Sequence, residues 1–279
     1  MNTTVRLLLI FSLISFTSCL NAFIKSAAEK EIKSHQQIQS PNNSLLLSFK
    51  LDDSIPTYEL RTNNEVIIEN SKLGFELEGV DISSGFKMLG YQIRDSSSTW
   101  TQPWGAVKEI EDNHTELSIF LKHNSGTEMN IIFRLYDDGL GFRYEWPEQK
   151  MLKEFVIMNE KTEFVLSDNH DTWWLQAYIP NRYEHLNIAS KVSDIDTAAT
   201  PLTMKTSSGL YLSFHEAALT DYSSMSLINR GNNTLEATLF PWMDGTNHKV
   251  RANTPFVTHW RTIKVNETLD GLVNNYIEL

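Results

Sequence analysis

The chain has 279 residues, 41% of them hydrophobic, enough to bury the core of one large β domain or two average ones. Its 35 acidic against 24 basic residues give a formal net charge of −11, and no cluster of Lys or Arg offsets it. Phosphate backbones and anionic membrane faces are therefore repelled, which argues against nucleic acid as a partner.

The amino end reads as an export leader. Met1–Arg6 is a short positive start, and 7–16 (LLLIFSLISF) has the length of a signal-peptide apolar region, too short to span a bilayer comfortably. Phe16-Thr17-Ser18-Cys19 then resembles a bacterial lipobox, in which the cysteine is lipidated and becomes the new terminus. Phe16 stands where leucine is usual; the alternative is cleavage further on, for instance after Ala22, with Cys19 discarded. Cys19 is the sole cysteine, so the exported chain has no internal disulfide and depends on packing. The expected organisation is a leader over 1–19, a polar tether over 20–42 and one domain over 43–279. No second apolar run of about 18 residues is present to cross a membrane.

From residue 43 the pattern is that of strands. Residues 45–51 open the series; 57–61 turns through Thr62-Asn63-Asn64 and returns over 65–68 as a hairpin. Further strands are expected at 73–77, 117–122, 129–136, 163–166, 202–205, 210–215, 234–240 and 260–265. Residues 129–136 are apolar enough to suggest burial on both faces. Turn residues punctuate them at 124–126, 137–139, 207–209 and 229–233. A weak helical period is confined to the tether and to 269–276. Many short strands with regular turns predict an all-β sandwich larger than an immunoglobulin domain.

Within 131–147 (IIFRLYDDGLGFRYEWP), Asp137-Asp138-Gly139 supplies a hairpin turn and Gly141 a second backbone joint. Arg134 and Arg143 can share one sheet face, with Asp137 or Glu145 as partners.

Taken in order, FRLYDDGLGFRYEWPEQ (133–149), WTQPWG (100–105), Trp173-Trp174, TPLTM (200–204), SGLYLSFHEAALTDYSSM (208–225), PWMDG (241–245) and TPFVTHWRTI (254–263) resemble the amino-terminal domain of glycoside hydrolase family 97. The resemblance covers about 43–279. It implies a large β-supersandwich of the galactose-mutarotase type, with short helical elements only at the ends. It further implies an exported enzyme, in the periplasm or at the outer membrane, that cleaves α-glucosidic or α-galactosidic bonds. In the family this domain packs on a (β/α)₈ barrel that carries the catalytic carboxylates.

Glycoside hydrolysis needs two carboxyl groups flanking the bond. This sequence has no strand–helix alternation from which to build the barrel, so the chain alone is not expected to be catalytic. One acid stands out. Leu210, Leu212 and Phe214 share a strand face, and period-two alternation puts Glu216 on that same apolar side. A carboxylate there needs compensation. The resemblance implies that it comes from Ca²⁺, held jointly with barrel carboxylates, and calcium's many flexible oxygen ligands suit a shared site. The competing reading is an exposed strand-end Glu or one paired with an arginine such as Arg230. Trp104, Trp173, Trp174, Trp242 and Trp260 can stack on sugar rings or fill the core. The eight histidines include no zinc pattern. Two further readings stay open: a stand-alone carbohydrate-binding lipoprotein module, and a structural remnant without a ligand.

Overall fold

The computed structural model of the protein describes residues 34–179 and 184–278. The expected leader with Cys19, and the tether up to residue 33, lie outside the described residues.

The fold begins inside the stretch expected as a tether. His35–Gln39 is a strand, paired antiparallel with Leu45–Asp52 from His35 opposite Lys50 to Gln39 opposite Leu46. Its alternation buries Gln36 and Ile38 while three polar residues face water. With a single apolar side chain among five, no hydrophobic period announces it.

The strand Leu45–Asp52 continues as a meander through Ile55–Thr62 and Val66–Lys72. The expected Asn-rich turn closes it, with the Thr62 amide donating to the Glu65 carbonyl. Next comes a long hairpin, Phe86–Thr101 against Glu109–His123, of which only the apolar end at 117–122 was foreseen. The outer half of its first strand reads RDSSST and is exposed on both faces apart from a half-buried Ser96, so alternation fails there.

Glu128–Tyr136 and Gly139–Trp146 follow, joined at the expected Asp137-Asp138-Gly139 turn. The first of these buries Met129, Ile131, Phe133 and Leu135 on one face, whereas on the other only Ile132 is covered. Burial is thus mainly one-sided, contrary to expectation. Gly139–Trp146 pairs onward with Trp260–Asn266, which pairs with Tyr211–Ala217, which pairs with Thr197–Lys205.

Among the described residues seventeen strands join one sheet, and four more, from Phe75–Leu77, Val80–Ile82, Glu154–Glu160 and Val250–Asn253, form a second. The fold is all-β and sandwich-like, as expected. Among the described residues one five-residue helix, Leu269–Val273, falls in the predicted carboxy-terminal stretch, and one 3₁₀ turn, Val192–Asp194, sits in mid-chain. No helix among the described residues is long and apolar enough to cross a membrane.

Inward-facing rings run through the core. Phe49 meets Phe133 at 6.2 Å between centroids, Tyr58 meets Phe142 at 5.2 Å, and Phe164 meets Phe214 at 5.4 Å. Phe75 stands edge-on to Tyr144 at 4.6 Å. Such contacts add about 0.5–1.5 kcal/mol each beyond area burial. They fix the Gly139–Trp146 and Tyr211–Ala217 strands, and Trp260–Asn266 is held by pairing between the two.

Candidate functional site

The hairpin at 131–147 is structural. Arg143 donates to Glu145 at 2.6 Å, as its position suggested. Arg134 instead reaches Glu116 at 3.2 Å, and Asp137 accepts the Asn42 amide. Both guanidinium groups pack on the Trp260 ring, at 4.7 and 4.5 Å from its centroid. Gly141 makes room for that ring: a Cβ there would lie 3.6 Å from it. Gly139 is tighter, since a Cβ would come within 2.6 Å of the Ile263 carbonyl oxygen.

Glu216 lies on the apolar side with Leu212 and Phe214, as alternation predicted, and is 9% exposed. Its compensation comes from within the domain. Directly opposite on the neighbouring strand is Arg261, 1% exposed, whose Nη1 donates to Glu216 Oε2 at 2.9 Å. His259 Nε2 lies 2.6 Å from the same oxygen, and the Met225 amide donates to it at 3.0 Å. The other end of Arg261 is fixed on Glu160, with Nε at 2.9 Å and Nη2 at 2.5 Å. Thr162 and Tyr222 hydroxyls also donate to Glu160. The arginine partner is therefore Arg261; Arg230 pairs with Glu236 instead.

The electrostatics follow from this geometry. Burial pushes the Glu216 carboxyl upward, but the His259 hydrogen bond and the Arg261 charge outweigh it and hold the pKa below the ordinary carboxylate range. Glu160 behaves alike, with burial overcome by Arg261. Burial and then the Arg261 charge push the His259 imidazole down, against the pull of Glu216. His259 Nδ1 is buried with no partner.

The two oxygens of Glu216 differ: Oε2 takes three donors, one of them a guanidinium cation 2.9 Å away, whereas Oε1 accepts only the Met225 amide, at 3.3 Å. Among the described residues no group of three His, Cys, Asp or Glu could hold a metal.

Above this network lies a cavity of about 580 Å³. Its walls are two loops, 221–224 and 240–242, with Lys249–Arg251 beside them, and Tyr222 ties it to the buried Glu160. Phe240 stacks near Tyr178 at 5.7 Å, and Arg251 lies 4.8 Å over the Trp242 ring. Asp221, in the first of these loops, has φ of 52°, and Tyr178, beside Phe240, has φ of 61°. Non-glycine residues seldom occupy this region, and backbone strain of that kind collects at active sites, ligand clamps and switch regions. Trp242 is 52% exposed, and Tyr178, Leu219, Phe240 and Met243 are exposed with it.

The tryptophans divide. Trp174 is buried in the core, while Trp173 is exposed and Trp104, at the tip of the long hairpin, is 84% exposed. His215 is not at a strand end but inside Tyr211–Ala217, and takes no part in the network. Arg261, His259 and Glu160 were not singled out from the sequence. The one available signal was the alternation Trp260-Arg261-Thr262-Ile263, which places an arginine on the buried face with Ile263.

Residues 38–279 match the family profile described as Glycosyl-hydrolase 97 N-terminal. The chain belongs to this glycoside hydrolase 97 family. A family 97 enzyme from Pseudoalteromonas sp. strain K8, solved as a variant in complex with panose, is 34% identical with a TM-score of 0.83. The match covers 87% of this chain and 37% of that one, so the chain spans little more than a third of its relative's length. The same enzyme in complex with acarbose aligns at 33% identity and a TM-score of 0.80, over 84% of this chain and 36% of that one. A curated relative from Streptomyces bingchenggensis (strain BCW-1), named a probable retaining alpha-galactosidase, is 25% identical over 122 residues, or 44% of this chain and 18% of the relative.

Proposed function

We propose that this chain is the amino-terminal domain of an exported α-glycosidase, docking on a catalytic (β/α)₈ barrel and forming one wall of its sugar pocket. The docking face is the one built by the 221–224 and 240–251 loops. The observation that carries this reading is the exposed apolar pair Phe240 and Trp242 in the cavity wall, with exposed Tyr178 against Phe240 and exposed Met243 next to Trp242 in the chain. Soluble proteins rarely leave such a set bare unless a partner covers it. The panose and acarbose complexes of the Pseudoalteromonas relative support an α-linked oligosaccharide as the substrate class.

In this reading the buried Glu160–Arg261–Glu216–His259 cluster is a pillar. It anchors Tyr222 and the Met225 amide, and so fixes the loop between them from below. Calcium shared with barrel carboxylates at Glu216 belongs to the same proposal, with Oε1, which accepts only the Met225 amide at 3.3 Å, as the oxygen left to it. Lipidation at Cys19 would hold the protein at a membrane after export.

Reading the coding frame beyond codon 279 tests the proposal. A frame continuing into alternating strands and helices is the expected result; a natural stop overturns it. A stand-alone carbohydrate-binding lipoprotein, favoured by the bare ring of Trp104, would show that stop and bind sugar by itself.

A further inference from the structure

A second cavity, of about 510 Å³, lies on the outer surface of the sheet, and none of its lining residues is shared with the first. It is bounded by the start of Glu109–His123, the turn at Asp137-Asp138 and the segment 274–278. We propose that it is a carbohydrate-binding site separate from the docking face, taking a short neutral α-linked oligosaccharide. The inference stands on this cavity alone and survives failure of the docking reading.

Sugars present apolar ring faces and a rim of hydroxyl groups. A site for them pairs flat aromatic surfaces with fixed hydrogen-bonding groups. This cavity has both. Trp100 lines it with an exposed ring, and Trp260 and Tyr276 supply further aromatic wall. Trp260, held by Arg134 and Arg143 and resting against Gly141, is a fixed wall of the cavity, and the open stacking face is that of Trp100.

The polar groups are similarly fixed from behind. Asp112 is held by His114 at 2.7 Å and by the Tyr136 hydroxyl at 3.2 Å. Glu278 is held by Thr262 at 2.9 Å and by Lys264 at 2.8 Å. Glu109 and Glu111 are exposed and without a partner among the described residues, so both can accept from hydroxyls. Side chains locked in place before binding lose little freedom when a ligand docks. The volume lies within the range of small-ligand sites.

Other occupants fit less well. The acidic lining repels phosphates and acidic sugars. The carboxylates do not converge as metal ligands do: no group of three capable of holding a metal occurs among the described residues. A neutral polyol satisfies the acceptors without needing such convergence.

Calorimetric titration of the whole chain with panose tests the proposal. Saturable binding with a Kd of about 1 mM, unchanged when salt is raised, is expected. Trp100→Ala should weaken it at least tenfold and Glu111→Gln severalfold, while Trp173→Ala, outside both cavities, leaves it intact. Should Trp100→Ala fail to fold by circular dichroism, Glu111→Gln decides. Absence of binding, binding indifferent to both cavity variants, or binding abolished by salt would each overturn the proposal.

Discussion

Glu216 and Arg261 stand directly opposite each other on adjacent antiparallel strands, with Arg261 Nη1 2.9 Å from Glu216 Oε2. Each side chain answers the other's charge in a space closed to water. Such a pair contributes little net stability over apolar residues of equal volume, but breaking it strands a buried charge. Arg261→Ala exposes two carboxylates, Glu160 and Glu216, to that penalty. The expected loss is about 3–5 kcal/mol in urea unfolding. Glu216→Gln keeps the shape and one acceptor, and its loss should be smaller. If Arg261→Ala unfolds at the wild-type midpoint, the network is not the pillar described.

The same cluster makes stability depend on pH. In the unfolded chain His259 takes up a proton near pH 6.5, whereas the folded environment delays that uptake to lower pH. Stability therefore falls as pH drops below about 6.5. Glu160 and Glu216 contribute stability that is fully present above about pH 4.3 and is lost as pH falls through their lowered folded values. Urea midpoints measured between about pH 7.5 and about pH 5.5 should slope downward. His259→Gln should flatten part of that slope, and an undiminished slope in the variant would remove His259 from the account.

What the sequence conveyed and what it withheld divide along physical lines. Glu216 could be placed on the buried face because alternation acts over neighbouring residues. Its partner could not be found, because strand pairing brings in a residue 45 positions away. The hairpin at Asp137-Asp138-Gly139 was legible from turn chemistry alone. The strand His35–Gln39 was not, since it is held by pairing with Leu45–Asp52 while exposing mostly polar side chains. Calcium at Glu216, implied by the family resemblance, calls for ligands from outside this domain, whereas the arginine and histidine that compensate the carboxylate lie within it.

The two glycines of the 131–147 hairpin should respond differently to a methyl group. At Gly141 an added Cβ makes ordinary contact with Trp260, so Gly141→Ala should be close to neutral. At Gly139 it runs into the backbone of Ile263, which cannot swing aside, and Gly139→Ala should cost about 1–3 kcal/mol. Thermal melts of the two variants compare them directly. Equal melting temperatures would contradict the packing described.

Calcium titration of this chain, compared with the polypeptide extended along its own coding frame, checks the shared metal site. One carboxylate supplies at most two of calcium's six to eight oxygens, so weak binding is expected here and tighter binding, lost in Glu216→Gln, in the extended protein. Binding by the extended protein that is indifferent to Glu216→Gln would remove Glu216 from the site.

The central claim, that the 221–224 and 240–251 loops form a covered interface in the longer protein, is tested most directly by hydrogen exchange. The 279-residue chain is compared with the polypeptide extended along its own coding frame. Amides in both loops should slow at least tenfold in the extended protein, while those of 109–113 exchange as before. Unchanged exchange in the loops, with protection appearing elsewhere on the domain, would contradict the account.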